Sequence, residues 1–145
     1  MKITIIGVGK IKNSLYESLW HDYAKRLVPA VKLIEIEERR AAKANELLLA
    51  ALPNQTILVA LDEGGESLSS LELARRLQAW REQGRAGVCF IQGGADGLSP
   101  EILQRAELVL SFGRMTLPHM MARLVLVEQL YRAQSINGGH PYHRE

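Results

Sequence analysis

Gly87-Val88-Cys89-Phe90-Ile91-Gln92-Gly93-Gly94-Ala95-Asp96-Gly97-Leu98-Ser99-Pro100-Glu101 compresses a strand, a turn and a helix start into one short passage. The run 88–91 is continuously apolar, as strands covered on both faces are. Three glycines in the next few residues break it and permit positive φ angles. Ser99 then offers a helix cap, Pro100 suits the first turn, and Glu101 places an acid near the positive end of the helix dipole. A buried strand feeding a helix through a tight turn is half of a βαβ unit, so a parallel sheet is expected.

The same alternation extends in both directions. Residues 2–8 (Lys2-Ile3-Thr4-Ile5-Ile6-Gly7-Val8) form a β-rich run stopped by glycine, and 31–37 and 56–61 read as two further strands. Between them, Ser14 can cap a helix running to about Leu27, with Leu15, Leu19, Trp20, Tyr23 and Leu27 at helical spacing; Pro29 ends it. Residues 42–52 are strongly helix-forming up to Pro53-Asn54, and Asp62-Glu63-Gly64-Gly65 reads as a loop. Ser69 or Ser70 opens a helix carrying Leu71, Ala74, Leu77 and Trp80, closed by Gly84. Downstream, 107–112 is a short fifth strand and 118–136 a last helix, followed by a Gly138-Gly139 hinge and His140-Pro141-Tyr142-His143-Arg144-Glu145. The expected architecture is a three-layer α/β/α fold with a mostly parallel sheet, one domain over 1–145.

Composition narrows the functional class. The chain has 145 residues, 47% of them hydrophobic and 23% charged, which excludes disordered and fibrous classes. Its one cysteine, Cys89, precludes an internal disulfide and sits in an apolar strand as a small core residue. No membrane span, secretory signal or paired metal-ligand spacing is legible, so a cytoplasmic protein with no metal is expected. The segment 109–145 carries Arg114, Arg123, Arg132 and Arg144 against Glu128 and Glu145, an excess equal to the whole formal net charge of +2. It also holds His119, His140 and His143, three of the four histidines. A solvated basic surface and a nucleic-acid contact both fit that pattern. The last helix is apolar from Met120 to Val127 except at Arg123, more than one buried stripe needs, which predicts a homodimer through it; a central core helix of a monomer is the competing reading.

Of the two glycine turns, Gly7-Val8-Gly9-Lys10 fails both nucleotide signatures, because Lys12 stands where a dinucleotide fingerprint needs glycine and no glycine-lysine-serine/threonine ending follows. The turn 93–97 is better placed, since α/β folds bind ligands at the carboxyl ends of their strands. Leu61-Asp62 after the third strand and 112–117 after the fifth would open at that same edge, and the three loops could share one ligand. Ordinary core packing is the competing reading for Leu61, Met115 and Leu117.

Phe90-Ile91-Gln92-Gly93-Gly94-Ala95-Asp96-Gly97-Leu98-Ser99, Met115-Thr116-Leu117-Pro118-His119, Glu128-Gln129-Leu130-Tyr131-Arg132-Ala133 and the terminal His140-Pro141-Tyr142-His143-Arg144-Glu145 together resemble the RlmH family. These are small SPOUT-class methyltransferases of a pseudouridine in 23S rRNA. The resemblance spans the whole chain and is most specific over its last third. It implies a SPOUT (α/β knot) fold with a C-terminal trefoil knot, a homodimer, S-adenosylmethionine as cofactor, and the ribosome with its 23S rRNA as partner. It places cofactor contacts on Leu61, Gly93, Phe112, Gly113, Arg114, Met115, Thr116 and Leu117, with Gly93 leaving room for the adenosine.

The implied reaction moves a methyl group to the imide N3 of pseudouridine, so one proton must be managed near neutral pH, which suits histidine. His143 with Tyr142 on the hinged tail, and Arg144 beside them, are the catalytic candidates. Arg132, His119 and His140 are the candidates for RNA contact, an i,i+4 pair with Glu128 being the competing role for Arg132. One departure stands out: relatives commonly carry a lysine after the loop glycine, where this chain has Glu66. A methyltransferase of another RNA and a non-catalytic ribosome-binding dimer are the alternative functions.

Overall fold

A computed structural model describes residues 1–12 and 15–144. Its elements alternate as β1 (Lys2–Val8), α1 (Leu15–Ala24), β2 (Lys32–Ile36), α2 (Ala41–Ala50), β3 (Thr56–Ser67), α3 (Ser70–Glu82), β4 (Gly87–Gln92), α4 (Pro100–Arg105), β5 (Leu108–Ser111) and α5 (His119–Asn137). The five strands form one sheet in the order β2-β1-β4-β3-β5, every neighbouring pair parallel. Side chains alternate across it. Ile5, Ile57, Val59, Val88 and Phe90 pack with α1, α3 and α5 on one face, and Ile6, Leu58, Ala60, Cys89 and Ile91 with α2 and α4 on the other. The three-layer α/β/α architecture with a parallel sheet is therefore as expected.

The helix starts follow their caps. At α3 the Ser69 hydroxyl accepts from the Glu72 N–H while the Glu72 carboxylate accepts from the Ser69 N–H, a reciprocal capping box. At α4 the Ser99 hydroxyl accepts from the Ile102 N–H and Pro100 sits in the first turn. The proposed cap of α1, Ser14, lies outside the described residues.

Two expectations need correction. Asp62-Glu63-Gly64-Gly65 is not a loop: β3 continues to Ser67, with a bulge that lets both Leu61 and Glu66 face Leu110. Gly65 is needed there because a Cβ would run into the Val109 carbonyl. Beyond the bulge Glu66 pairs with Arg76 at 3.7 Å. Second, α1 ends at Ala24 and buries Trp20, with Leu27 buried just beyond; Leu15 and Leu19 face outward, 83% and 46% exposed. α5 lies between α1 and α3 against the sheet, with Met121 and Asn137 exposed and Met120, Leu124 and Val125 half-buried. α5 is thus a core helix that still leaves part of its apolar surface open.

Arg123 sits fully buried in the middle of this arrangement. The carboxyl ends of parallel strands leave carbonyls without ladder partners. Arg123 donates to two of them, Val8 O at 3.0 Å and Gly9 O at 2.8 Å. It also donates to Gln92 Oε1 at 2.9 Å and pairs with Glu35 Oε2 at 3.0 Å. One guanidinium thus ties α5 to the ends of β1, β2 and β4.

Candidate active site

The turn 93–97, the bulge of β3 and the segment 112–118 meet at the carboxyl edge of the sheet, where they enclose a cleft of about 720 Å³. Its apolar walls include Leu61, Leu110, Phe112 and Leu117, and the floor includes Gln92, His119 and Ala122. Seven of the eight residues expected to hold a cofactor line it: Leu61, Gly93, Phe112, Gly113, Met115, Thr116 and Leu117. Arg114 does not; it is exposed and lies outside the lining. Met115 stands at the mouth, 84% exposed, rather than in the wall. A cleft of this size with apolar walls and exposed backbone is a small-molecule site. Its charged lining residues are Asp62, Glu63 and Asp96, with no lysine or arginine among them, which favours a ligand carrying positive charge.

Each loop has a local reason for its shape. Gly97 takes φ +74° and bridges back to Gly94, closing the turn. A Cβ on Gly93 would stand 2.7 Å from the Gly97 carbonyl carbon and oxygen. Gly93 is therefore glycine because of its own turn, before any question of room for a ligand. Gly93→Ala should displace the 93–97 turn and weaken small-molecule binding at least tenfold by isothermal titration; unchanged affinity would show that the turn does not shape the cleft. Gly113 takes φ +117°, and the Ser111 hydroxyl both accepts from its N–H and donates to its carbonyl, fixing the start of 112–118. On the floor, Gln92 donates to the His119 carbonyl at 2.8 Å while its own oxygen holds Arg123. The His119 ring makes no hydrogen bond among the described residues, and the residue lines the cleft.

The tail residues lie elsewhere. α5 ends in a Schellman motif: the N–H of His140 bonds the Ser135 carbonyl, that of Gly139 the Ile136 carbonyl, and Gly139 takes φ +71°. The expected glycine hinge is thus a helix cap that folds the tail back along α5. There Tyr142 donates to Glu128 Oε1 at 2.9 Å, lies 3.4 Å from the Tyr23 hydroxyl and packs edge-on against Tyr131. Burial, then these hydrogen bonds, push the Tyr142 hydroxyl well above the usual phenol range, so it is a phenol at neutral pH. Arg132 pairs with Glu128 Oε1 at 2.7 Å, which raises its own pKa, and covers the Tyr142 ring. The i,i+4 pair set against a phosphate role for Arg132 is present.

Arg132 also approaches His143 Nδ1 at 3.2 Å. A guanidinium can only donate, so Nδ1 accepts and the imidazole hydrogen sits on Nε2, which is buried without a partner. His140 and Arg144 are exposed, the His140 ring accepting from the Tyr142 N–H. At 1.5 Å of helix rise per residue, Arg132 lies roughly 20 Å along α5 from His119. The sequence reading missed this separation, and it missed Gln92, Glu35 and Arg123 as the frame beneath the cleft.

Among the described residues no group of three His, Cys, Asp or Glu could hold a metal ion, and no helix is long and apolar enough to cross a membrane. Cys89 is buried, which pushes its thiol up to about 12 and keeps it protonated.

Comparison with known proteins agrees with this geometry. A family model described as predicted SPOUT methyltransferase matches residues 1–143. Ribosomal RNA large subunit methyltransferase H of Paramagnetospirillum magneticum is 48% identical, with 99% of each chain covered, and that of Rhodospirillum centenum 46%, again with 99% of each. Among solved structures, a probable methylase family protein from Haemophilus influenzae Rd KW20 matches with a TM-score of 0.62 at 12% identity, over 99% of this chain and 70% of that one. The SpoU methyltransferase AviRb from Streptomyces viridochromogenes, in complex with the cofactor AdoMet, matches with a TM-score of 0.52 at 10% identity, over 92% and 58%. At such identities the two structures speak for the fold.

Proposed function

The chain belongs to the SPOUT methyltransferases, in the family of ribosomal RNA large subunit methyltransferase H, and from that premise we propose that it methylates N3 of a pseudouridine in 23S rRNA, working as a homodimer on the assembled ribosome. The observation that carries this reading is the cleft of about 720 Å³ at the 93–97 turn, lined by carboxylates and apolar walls. S-adenosylmethionine is a cation at sulfur and at its amino group, and it fits that chemistry; bound there, it supplies an electrophilic methyl group. Leu61, Phe112 and Leu117 would hold the adenine, the backbone at Gly93 and Gly113 and the Thr116 hydroxyl its polar edges, and Asp62, Glu63 and Asp96 would offset its positive charge. Met115 and Arg114 would close the mouth. A ribosomal substrate places the protein in the cytoplasm. The return of residues 112–118 from edge strand β5 to α5 over the middle of the sheet supports the C-terminal trefoil knot of the fold.

What the protein does chemically is position the target base, exclude water and accept the N3 proton. His119 is better placed than His143 to accept it, because it lines the cleft and its ring makes no hydrogen bond among the described residues. His143, held by Arg132 with its hydrogen on Nε2, would instead donate to a carbonyl oxygen of the base, with Tyr142 packing beside it. Arg144 and His140 are left exposed for phosphate. Since Arg132 and its tail lie far down α5 from the cleft, the tail that serves one cleft would come from the partner subunit. The outward-facing Leu15, Leu19 and Met121 on α1 and α5 offer apolar surface for that contact.

Labelled S-adenosylmethionine with ribosomes lacking the modification tests the reaction. Label on one 23S pseudouridine, stronger with whole ribosomes than with free 23S rRNA, is the expected result. No transfer with the cofactor still bound would assign another RNA, and no cofactor binding would favour a non-catalytic ribosome-binding dimer. In the same assay His119→Gln should lower kcat about 10²- to 10⁴-fold with little change in ribosome KM. An unchanged kcat would remove His119 from the proton step.

A further inference from the structure

On the other side of the 94–97 turn lies a second, larger cleft of about 1020 Å³, built at the end of β1 and the link from β2 into α2. It shares the turn and His119 with the first cleft, so the two are separated by a single wall. Their charges are opposite in kind. The first is lined by carboxylates without a cation, whereas the rim of the second carries Lys10, Lys12, Arg39 and Arg40 against Glu37 and Glu38. Asp96, on the shared wall, is the other carboxylate facing in.

Not all of these cations are free to act. Arg40 is held by Glu38 at 2.6 Å. Lys10 and Lys12 share the one carboxylate of Glu37, each at a long 3.6 Å and each exposed, so one of the two ammonium charges is left uncompensated. Such exposed pairs contribute little and exchange readily for a phosphate. Arg39 is exposed and makes no ion pair among the described residues. Arg132, the arginine among the candidates for RNA contact, is committed to Glu128.

We propose that this second cleft docks the RNA backbone flanking the target nucleotide, with Lys10, Lys12 and Arg39 contacting its phosphates and the target base crossing to the cofactor at the wall formed by 94–97 and His119. The proposal rests on the RNA methyltransferase reading above. It explains the charge segregation: a cationic cofactor and a polyanionic substrate each meet the complementary sign, a wall apart. Phosphate contacts of this kind fix register and orientation, and they contribute affinity that falls with salt.

The test is the triple variant Lys10→Gln, Lys12→Gln and Arg39→Gln in the full dimeric chain. The control is Lys2→Gln, Arg81→Gln and Arg105→Gln, three exposed cations at the opposite edge of the sheet. Methyl transfer to ribosomes and co-sedimentation with ribosomes are measured across a salt series. The cleft variant should raise KM for ribosomes about 10- to 100-fold, hold kcat within about threefold, and flatten log KM against log salt by about 2 to 3. Its S-adenosylmethionine affinity should be unchanged, which also shows it folded, and the control should keep the wild-type KM. Wild-type KM and salt slope in the cleft variant, or a loss confined to kcat, would overturn the proposal. If the wild type transfers no methyl group to ribosomes, the methylation reading fails by itself. Co-sedimentation then decides the cleft: equal binding of the cleft variant and wild type overturns it, and weaker binding of the cleft variant alone upholds it.

Discussion

Arg123→Ala should lower the free energy of unfolding by about 3–5 kcal/mol, the usual cost of breaking a buried ion pair by removing one partner. Arg123 is fully buried and donates to Val8 O, Gly9 O, Gln92 and Glu35. Its burial disfavours the charged form and Glu35 opposes that shift, so the network holds the guanidinium charged against a real desolvation cost. Removing it takes one shared donor from two strand-end carbonyls, an amide oxygen and a carboxylate. The Glu35 carboxylate keeps only the N–H of Ile11, at 2.7 Å. Arg123→Lys should recover less than half, because one ammonium cannot span acceptors that a planar fork reaches from three sides. Gly7→Ala should resemble Arg123→Ala, since a Cβ there would collide with the guanidinium. Denaturant titration at fixed protein concentration checks all three, and a loss under 1 kcal/mol for Arg123→Ala would show that water replaces the network. Because Gln92 orients both Arg123 and the His119 carbonyl, the folded fraction of the variant should also bind S-adenosylmethionine more weakly.

The sheet and its layers were legible because they rest on local rules. Residues 88–91 read as buried on both faces and are, and Ser99-Pro100-Glu101 starts α4 as caps dictate. Where sequence reasoning stopped short, a tertiary contact overrode a local signal. Asp62-Glu63-Gly64-Gly65 carries turn chemistry, yet pairing with β5 holds it in a bulged strand. Leu15 and Leu19 fit the apolar spacing of α1, yet Trp20 sets which face turns inward. Strand order alone brings the three loops of the glycine cleft to one edge, whereas the individual cofactor contacts, Arg114 outside the lining among them, come from the family resemblance. A lone arginine in an otherwise apolar helix was the available signal for Arg123, since such a charge must be buried and paired. Its partners Gln92 and Glu35 lie 31 and 88 residues away, and no spacing rule reaches them. The second cleft was invisible for a related reason: Lys10, Lys12 and Arg39 come from two links that only the β1–β2 pairing brings together.

Deleting residues 140–145 should abolish methyl transfer, by about a thousandfold or more, while leaving S-adenosylmethionine affinity within about twofold, since the tail supplies the groups that orient the base and its described residues bond to Arg132, Glu128 and Tyr23, outside the cofactor cleft. The Glu128, Arg132 and Tyr142 network should lose its lid without unfolding α5, whose core contacts at Leu126, Val127 and Leu130 lie on the opposite face. A sharper result comes from mixing subunits. Ala122→Phe fills the floor of the cleft and should be inactive with its tail intact, while the tail deletion should be inactive with its cleft intact. If each cleft used its own tail, mixed dimers would be as dead as either parent. If the tail crosses over, the intact cleft of one subunit meets the intact tail of the other. Random reassortment makes half the dimers mixed, each with one working site of two, so about a quarter of wild-type activity should return. No recovery after verified subunit exchange would place the tail on its own subunit's cleft. That would require His143 to leave Arg132 and the tail to unfold from α5 during each turnover, a motion that Tyr142→Phe, by loosening the hold of Glu128, should then accelerate rather than slow.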